Sequence, residues 1–340
     1  MGAERTPSPA RLRRLVDELA EDGFELDGDD AWQALVLNEL DYALRPTVHE
    51  RRVPSYGSII APTVDPSGWG VATELTITRR MLGETKVGYS RLFADGLSSW
   101  LVRTPGRPAE LAVFDRPAGS ERDLVVLAES LGATLVQRHP AGGVRIVGER
   151  GVLRWDGLGW HHVPPLASWI DSLSACAGHG DRDVVETLVE FAVHDLGSRG
   201  IGALLVYRPE ADAMPSFEQR LPEPPPLRIT RPFDLAPLRH VLAQVDGAAV
   251  FDDAGTLRRL GVRLVPSAEA ESDVQGYRGM RHTSARRYSF DDPAATVIVV
   301  SEDGPVTVLR RGKLLGVSPD GTSIIVEPDR SPPIGRDRLR

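Results

Sequence analysis

The chain has 340 residues, with 40 Lys and Arg against 48 Asp and Glu, which gives a formal charge of −8. This length exceeds what one ordinary hydrophobic core organises and predicts two domains. A net negative chain makes a poor general binder of nucleic acid, because affinity for phosphates requires clustered Lys and Arg. A local basic pocket for a small phosphate ligand is compatible with that charge. The single cysteine excludes a disulfide framework and a cysteine-rich zinc site.

Hydrophobic stretches along the chain are short. None reaches the roughly 18–20 uninterrupted apolar residues that a membrane-spanning helix needs. The first residues also lack the apolar core of a secretory signal. We therefore expect a cytoplasmic protein without a membrane segment.

In the first half of the chain, short helical and strand-like patterns are separated by Gly and Pro. Apolar residues at helical spacing predict a helix over residues 8–22, and further helices are predicted around 38–44 and over 123–131. We expect an N-terminal domain of α+β type. Its β-like runs are predicted at residues 71–77, 100–103, 110–114, 133–136, 144–147 and 151–155.

A turn-rich break at residues 177–181 separates the two halves. We assign residues 1–165 to an N-terminal domain, 166–181 to a linker, 182–320 to a second domain and 321–340 to a tail. The second domain is expected to mix helices and strands in one α/β fold. Its predicted elements are a helix over 183–196 with Asp183 as N-cap, helices over 235–244 and 279–288, strands over 201–207, 248–251, 296–301 and 306–310, and loops over 209–232 and 266–278.

The first candidate site is Asp246-Gly247-Ala248, at a predicted junction of helix and strand. A carboxylate followed by two small residues leaves room for a ligand to approach the backbone, and it can hold a metal or polarise a hydroxyl. The other interpretation is an ordinary turn, where Asp-Gly is common. The tripeptide on its own favours the turn.

The second candidate is the segment Gly279-Met280-Arg281-His282-Thr283-Ser284, where a helix is predicted to begin. Free N–H groups at a helix N-terminus attract anions, and an arginine can fork onto phosphate oxygens. The alternative is an ordinary, solvated helix start. On the segment alone, the two interpretations are about equally supported.

The third candidate is Ser301-Glu302, at the end of a predicted strand. Glu302 could share a divalent cation with Asp246, because hard cations take oxygen ligands. Taken by itself, this pair favours a charged hairpin turn.

Four motifs in the second half, taken in order, resemble those of a diadenylate cyclase domain. This catalytic module is shared by DNA-integrity-scanning cyclases and their membrane-bound relatives. The resemblance covers about residues 182–318 and implies a central mixed β-sheet flanked by helices, behind the N-terminal α+β domain. The matching segments are Gly202-Ala203-Leu204, Asp246-Gly247-Ala248, Gly279-Met280-Arg281-His282-Thr283-Ser284-Ala285 and Val299-Val300-Ser301-Glu302.

The resemblance implies a reaction in which two ATP molecules condense to cyclic di-AMP, a second messenger, and two pyrophosphates. It also implies a divalent cation, Mg²⁺ or Mn²⁺, and a homo-oligomer whose active sites meet face to face, because one protomer holds one ATP. Carried over residue by residue, the roles are catalysis for Asp246, Arg281 and His282; ATP binding for Gly247, Ala248, Gly279, Met280, Thr283, Ser284, Ser301 and Leu204; and metal binding for Asp246 and Glu302.

One position departs from the family pattern. Thr283 stands where the family has the second arginine of an Arg-His-Arg motif, and Arg286 or Arg287 could substitute for the lost cation. The alternative to an active cyclase is a weak or inactive domain that binds ATP or cyclic di-AMP as a sensor. The first half resembles the variable regions that accompany such domains, so we expect it to be regulatory. We expect neither a membrane region nor the helix-hairpin-helix DNA-binding module of some relatives.

Overall fold

The computed structural model describes residues 7–317, apart from positions 27, 47, 49, 52, 63–68, 74, 84–86, 168, 171–181, 212–213, 220, 278 and 303–304. The chain is divided into two compact units, the first ending at residue 168 and the second beginning at Trp169. Most of the predicted linker and the whole predicted tail lie outside the described residues. Each unit combines helices with one sheet of mixed strand direction, which confirms the predicted mixed α/β class.

The first unit contains an eight-stranded sheet in the order β2-β4-β3-β1-β5-β6-β7-β8. β1 and β3 run parallel, and every other neighbouring pair is antiparallel. The strands from β5 to β8 therefore form consecutive antiparallel pairs. The strands are β1 (Tyr56–Ile60), β2 (Ile77–Met81), β3 (Ser99–Arg103), β4 (Glu110–Phe114), β5 (Thr134–Arg138), β6 (Val144–Gly148), β7 (Gly151–Trp155) and β8 (Trp160–Val163).

The three longer helices of the first unit begin at polar caps. The Ser8 side chain accepts a hydrogen bond from the backbone N–H of Arg11, and Ser120 and Asp123 form a reciprocal capping box. The prediction of a strand over 71–77 was wrong, because a short helix fills its first part. A short apolar run has no periodicity that distinguishes a strand from a helix. The helices are α1 (Pro9–Glu21), α2 (Asp30–Leu44), α3 (Trp69–Thr73), α4 (Val87–Ser90) and α5 (Glu121–Leu131).

A buried carboxylate ties α2 to this sheet. Glu39, fully buried, accepts hydrogen bonds from the Tyr56 hydroxyl at 2.6 Å, from Arg91 Nε at 2.7 Å and from Arg103 Nη1 at 2.8 Å. Burial, and then the charge of Glu39, raise the pKa of Tyr56 well above its usual value. A charge at this depth is stable because three donors surround it.

The second unit contains a seven-stranded sheet in the order β10-β12-β11-β9-β13-β14-β15. β9 and β11 run parallel, and the remaining pairs are antiparallel. β9, β11 and β13 are buried along their whole length and form the centre of this sheet. The strands are β9 (Ala203–Tyr207), β10 (Phe217–Glu218), β11 (Ala248–Phe251), β12 (Leu257–Leu264), β13 (Thr296–Val300), β14 (Val306–Arg310) and β15 (Lys313–Val317).

The helices of this unit agree with the predicted ones in order, with two differences. The predicted first helix begins one residue early, so that Asp183 lies in its first turn rather than at the N-cap, and it changes to a π-helix over Phe191–Leu196 and a 3-10 turn over Gly197–Arg199. The predicted loop over 266–278 contains a helix capped by Ser267. The α-helices are α6 (Arg182–Glu190), α7 (Pro232–Leu242), α8 (Ala268–Asp273) and α9 (Met280–Asp291).

Candidate functional site

Three of the sequence motifs meet at one edge of the second sheet. β9 lies between β11 and β13, with Ala248 of β11 paired to Leu204 and Val300 of β13 paired to Ala203. Because β11 runs parallel to β9 and β13 runs antiparallel, the start of the first two strands and the end of the third share an edge. The register therefore brings Gly202, Asp246-Gly247 and Ser301-Glu302 to that edge.

The two predicted metal ligands lie on either side of Gly202. Neighbouring strands are about 4.8 Å apart, so β11 and β13 are separated by about 10 Å across β9. Asp246 precedes β11, Glu302 follows β13, and both side chains are exposed. A ligand resting on the edge at Gly202 can therefore be approached by a carboxylate from each side.

Gly202 is the point on which Arg281 and Glu302 converge. A Cβ atom placed on Gly202 would lie 2.5 Å from Arg281 Nη1, 2.9 Å from Glu302 Cγ and 3.2 Å from Glu302 Oε1. Any side chain larger than hydrogen would occupy the space these two groups use. The helix start and the end of β13 thus present a guanidinium and a carboxylate at the same place.

The Asp246-Gly247 pair enters β11 through a backbone bend at Gly247. Gly247 has φ +101°, and a Cβ on it would lie 2.8 Å from the carbonyl carbon of Gly261 in β12. Only glycine accommodates this conformation and this approach at low cost. The small residue after Asp246 is therefore required by the backbone bend at Gly247, and a ligand role for the tripeptide stays a prediction.

The remaining predicted ATP contacts differ in exposure. Ala248 and Leu204 are buried in the hydrophobic core beneath the sheet edge. Met280, at the start of α9, is 89% exposed, and the side chains of Ser284 and Ser301 are half-buried. Contact of any of these with ATP stays a prediction.

His282 is packed under the first turn of α9. Its side chain is buried, its Nε2 lies 3.4 Å from the Thr307 hydroxyl of β14, and its ring meets the Tyr277 ring edge-on at 5.8 Å between centroids. These contacts attach the helix start to the sheet. The predicted catalytic role of His282 stays a prediction.

The cations proposed to replace the missing family arginine have other partners. Arg286 Nε donates to the Gly312 carbonyl at 2.8 Å, and Arg287 donates to the carbonyls of Val274 and Glu271, each at 3.3 Å. The two guanidinium groups thereby fasten α9 to the turn between β14 and β15 and to the end of α8. Of the arginines on this helix, Arg281 is the one that reaches the edge at Gly202.

Two further residues belong to this site, and sequence reasoning did not assign them a role. In the sequence, Gly202 was recognised only as part of a motif. The feature that could have identified it is its position directly before a buried strand. Tyr277 lies in a predicted loop, and nothing in the sequence indicated that its ring would pack against His282.

The donor set suits a cation that is shared with a ligand. Within the described part of the chain, no cluster of three or more His, Cys, Asp or Glu side chains could hold a metal ion. Asp246 and Glu302 supply carboxylate oxygens only, and Mg²⁺ is commonly bound by one or two carboxylates together with phosphate oxygens and water. The two residues therefore fit a divalent cation that arrives with a phosphate ligand.

Membrane insertion through a helix has no candidate in the part of the chain that the structure describes. No described helix combines the length and the apolar composition needed to cross a bilayer.

Comparisons with known proteins match each unit to a family. Residues 13–163 match the family described as "Probable sensor domain DACNK", and residues 190–314 match the family described as "DisA bacterial checkpoint controller nucleotide-binding". No curated protein matches the chain. A solved structure, titled as the hypothetical membrane spanning protein from Bacillus cereus, is 19% identical, with a TM-score of 0.31 over 39% of this chain and 62% of that chain.

Proposed function

We propose that this chain, a diadenylate cyclase family protein with an N-terminal DACNK sensor-family domain, condenses two ATP molecules into cyclic di-AMP and two pyrophosphates. Its second domain belongs to a nucleotide-binding family. The observation that carries the proposal is the convergence of Arg281 and Glu302 on Gly202, at the sheet edge that Asp246 shares.

The reaction consists of two equivalent phosphoryl transfers. The 3′-oxygen of each ATP attacks the α-phosphorus of the other, so that two P–O bonds form and two α–β anhydride bonds break. Each anhydride cleavage releases one pyrophosphate, and each attacking hydroxyl gives up one proton. Such transfers depend mainly on positioning and on neutralising negative charge.

The residues at the edge have different roles in this reaction. Arg281 neutralises phosphate oxygens, and Asp246 accepts the hydrogen bond of the attacking hydroxyl, whose proton then passes to water at the exposed carboxylate. Gly202 and Gly247 keep the edge free of side chains, so that a nucleotide can lie against the backbone. Asp246 and Glu302 would hold Mg²⁺ or Mn²⁺, which neutralises triphosphate charge when bound.

The stoichiometry requires a second copy of the chain. One edge of this kind serves one ATP, whereas the product joins two nucleotides symmetrically. Two protomers therefore have to bring their edges face to face about a two-fold axis. We infer a homo-oligomer as the active form.

Purified full-length protein incubated with ATP and Mg²⁺ or Mn²⁺ is expected to form cyclic di-AMP, measured by chromatography. Asp246→Asn should lower the rate at least ~100-fold, because it weakens both the hydroxyl contact and the metal site. The matched control is Asp253→Asn, an exposed aspartate at the opposite end of β11. Equal rates for Asp246→Asn and the native chain would refute the role of Asp246.

The same geometry supports one alternative. Arg281 is the cation of its helix that reaches the edge, and fewer cations leave more triphosphate charge to be neutralised by other means. A domain of this kind can bind ATP or cyclic di-AMP without turnover. Calorimetric binding of either nucleotide, with no product under any divalent metal, would favour this sensor function.

We further propose that the DACNK-family unit regulates the cyclase. It forms a compact unit of its own and matches a family described as a sensor. A chain lacking residues 1–165 should then differ from the full chain in rate or in oligomeric state. Identical values in purified protein and in cells would refute the regulatory role.

A further inference from the structure

We propose that Thr283 is a positioning residue, which replaces a cation of the family motif by a clamp that holds the start of the helix presenting Arg281. The inference rests on the proposed cyclase function. It explains how a site with a changed motif can keep its remaining arginine in place.

The clamp is a pair of hydrogen bonds from one hydroxyl. Thr283 Oγ1 accepts the backbone N–H of Tyr277 at 3.0 Å and donates to the carbonyl of the same residue at 3.3 Å. The Tyr277 carbonyl also accepts the N–H of Gly279 at 2.6 Å, and the Thr283 N–H donates to the Gly279 carbonyl at 2.9 Å. These bonds connect Thr283 to Tyr277 and to Gly279, and Arg281 lies between Gly279 and Thr283 in the chain.

Helix geometry places Thr283 and Arg281 on opposite sides. Two residues along an α-helix correspond to a rotation of about 200°. Thr283 faces the loop before the helix, whereas Arg281 Nη1 reaches the space beside Gly202. An arginine at position 283 would therefore extend toward the loop rather than toward the edge, and it would remove the clamp.

Two other contacts of α9 hold residues that precede the helix in the chain. Arg287 donates to the carbonyls of Val274 and Glu271, and the His282 ring packs edge-on against the Tyr277 ring. A Cβ on Gly276 would lie 3.4 Å from Thr283 Oγ1, so the loop passes close to the hydroxyl. The side chains of His282, Thr283 and Arg287 therefore support one conformation of the helix start.

The functional consequence concerns the entropy of Arg281. A long side chain on a fixed helix start needs less ordering when it binds a phosphate, and prior positioning of this kind strengthens transition-state contacts. Loss of the Thr283 hydroxyl, which bonds Tyr277, should lower activity through Arg281.

The test compares three substitutions at one position in the full chain. Thr283→Val keeps the branched shape but lacks the hydroxyl, and it should lower kcat/KM for ATP by about 10-fold to 100-fold, the cost of a small misplacement. Thr283→Ser keeps the hydroxyl and should stay within about 2-fold, since the bonded atom is unchanged. Thr283→Arg, which restores the family residue, should lower the rate as well.

A matched control separates positioning from stability. Ser267→Ala removes another hydroxyl of the same region, which caps α8 through the Ala270 N–H and bonds Asp291. It should lower the unfolding temperature and leave kcat/KM unchanged. Amide exchange of Tyr277 supplies a readout independent of activity, because Thr283→Val removes the acceptor of that N–H.

The outcomes distinguish the clamp from the cyclase function. An inactive native chain refutes the cyclase function. In that case the Thr283→Val and Thr283→Ser variants are compared by their affinity for ATP, measured by calorimetry, instead of by kcat/KM. An active native chain with unchanged Thr283→Val refutes the clamp alone. Faster turnover in Thr283→Arg, or unaltered Tyr277 exchange in Thr283→Val, also refutes it.

Discussion

Gly202 shows how a single missing side chain can define a site. The atoms that a Cβ would meet there are the ends of two flexible side chains, Arg281 and Glu302, and not backbone. The fold can therefore tolerate a methyl group at this position by moving those side chains away. Stability and function should respond to this change in different ways.

Gly202→Ala is expected to lower cyclic di-AMP formation at least ~10-fold, because it displaces the guanidinium and the carboxylate from the edge. The unfolding temperature should change little. Gly159→Ala serves as the control, since a Cβ there meets nothing within 4 Å. Unchanged activity of Gly202→Ala would show that Arg281 and Glu302 do not act at this point.

At the scale of elements, α9 joins the site to the core. Its first turn presents Arg281, while Ala285 and Tyr288 pack in the core beneath β9, β11 and β13. Its last turn is fixed by Asp292, which accepts hydrogen bonds from Arg208 Nε at 2.9 Å and from the Tyr288 hydroxyl at 3.2 Å. The helix is therefore held to β9 at one end and reaches the start of β9 at the other.

The Tyr288–Asp292 contact predicts a pH dependence of stability. Burial, and then the charge of Asp292, raise the pKa of Tyr288 above its ordinary value of about 10. The folded protein then holds this proton more tightly than the unfolded chain. The stabilisation that comes from the protonated Tyr288 hydroxyl is complete below pH ~10 and decreases as the pH rises above that value.

Thermal unfolding of the full chain between pH 8 and pH 11 measures this effect. The native protein should lose stability at the alkaline end, and Tyr288→Phe should lose less between the same limits. The control is Tyr89→Phe, at a tyrosine that is 51% exposed. Parallel curves for Tyr288→Phe and the native chain would contradict the assignment.

Element prediction succeeded where the sequence carries a period or a cap, and it failed elsewhere. The helix over 8–22 and the hairpin of β13 and β14 have clear patterns, and both are present. α8 has six residues and little apolar periodicity, so only the Ser267 cap marked it. The π-helix after α6 depends on packing, because all six of its residues are buried.

At the scale of the whole molecule, the proposed chemistry depends on association. The product needs an ATP from each of two protomers, so the specific activity of the protein should rise with its concentration until the oligomer is complete. Sedimentation and rate measurements over the same dilution series should show coincident transitions. A specific activity independent of concentration, with monomers in solution, would contradict the face-to-face arrangement.

Mixing supplies a second measurement of the same prediction. An excess of the Asp246→Asn protein should reduce the rate of the native protein, because mixed pairs contain one impaired site. Asp253→Asn in the same excess should have no such effect.

The two-unit organisation and the mixed α/β class could be inferred from the order of residues, and so could a first set of candidate site residues. Gly202 and Tyr277 were not among the residues given a role in this way. Composition, short-range periodicity and the order of motifs can be determined from the sequence alone, because they do not depend on how the elements pack. The partnerships of Thr283, Arg286, Arg287 and His282 could not be inferred in this way. Each is a contact with another element, and its direction depends on how α9 rotates against the sheet and on the path of the preceding loop. For the same reason, only the strand register shows that Asp246 and Glu302 flank one glycine.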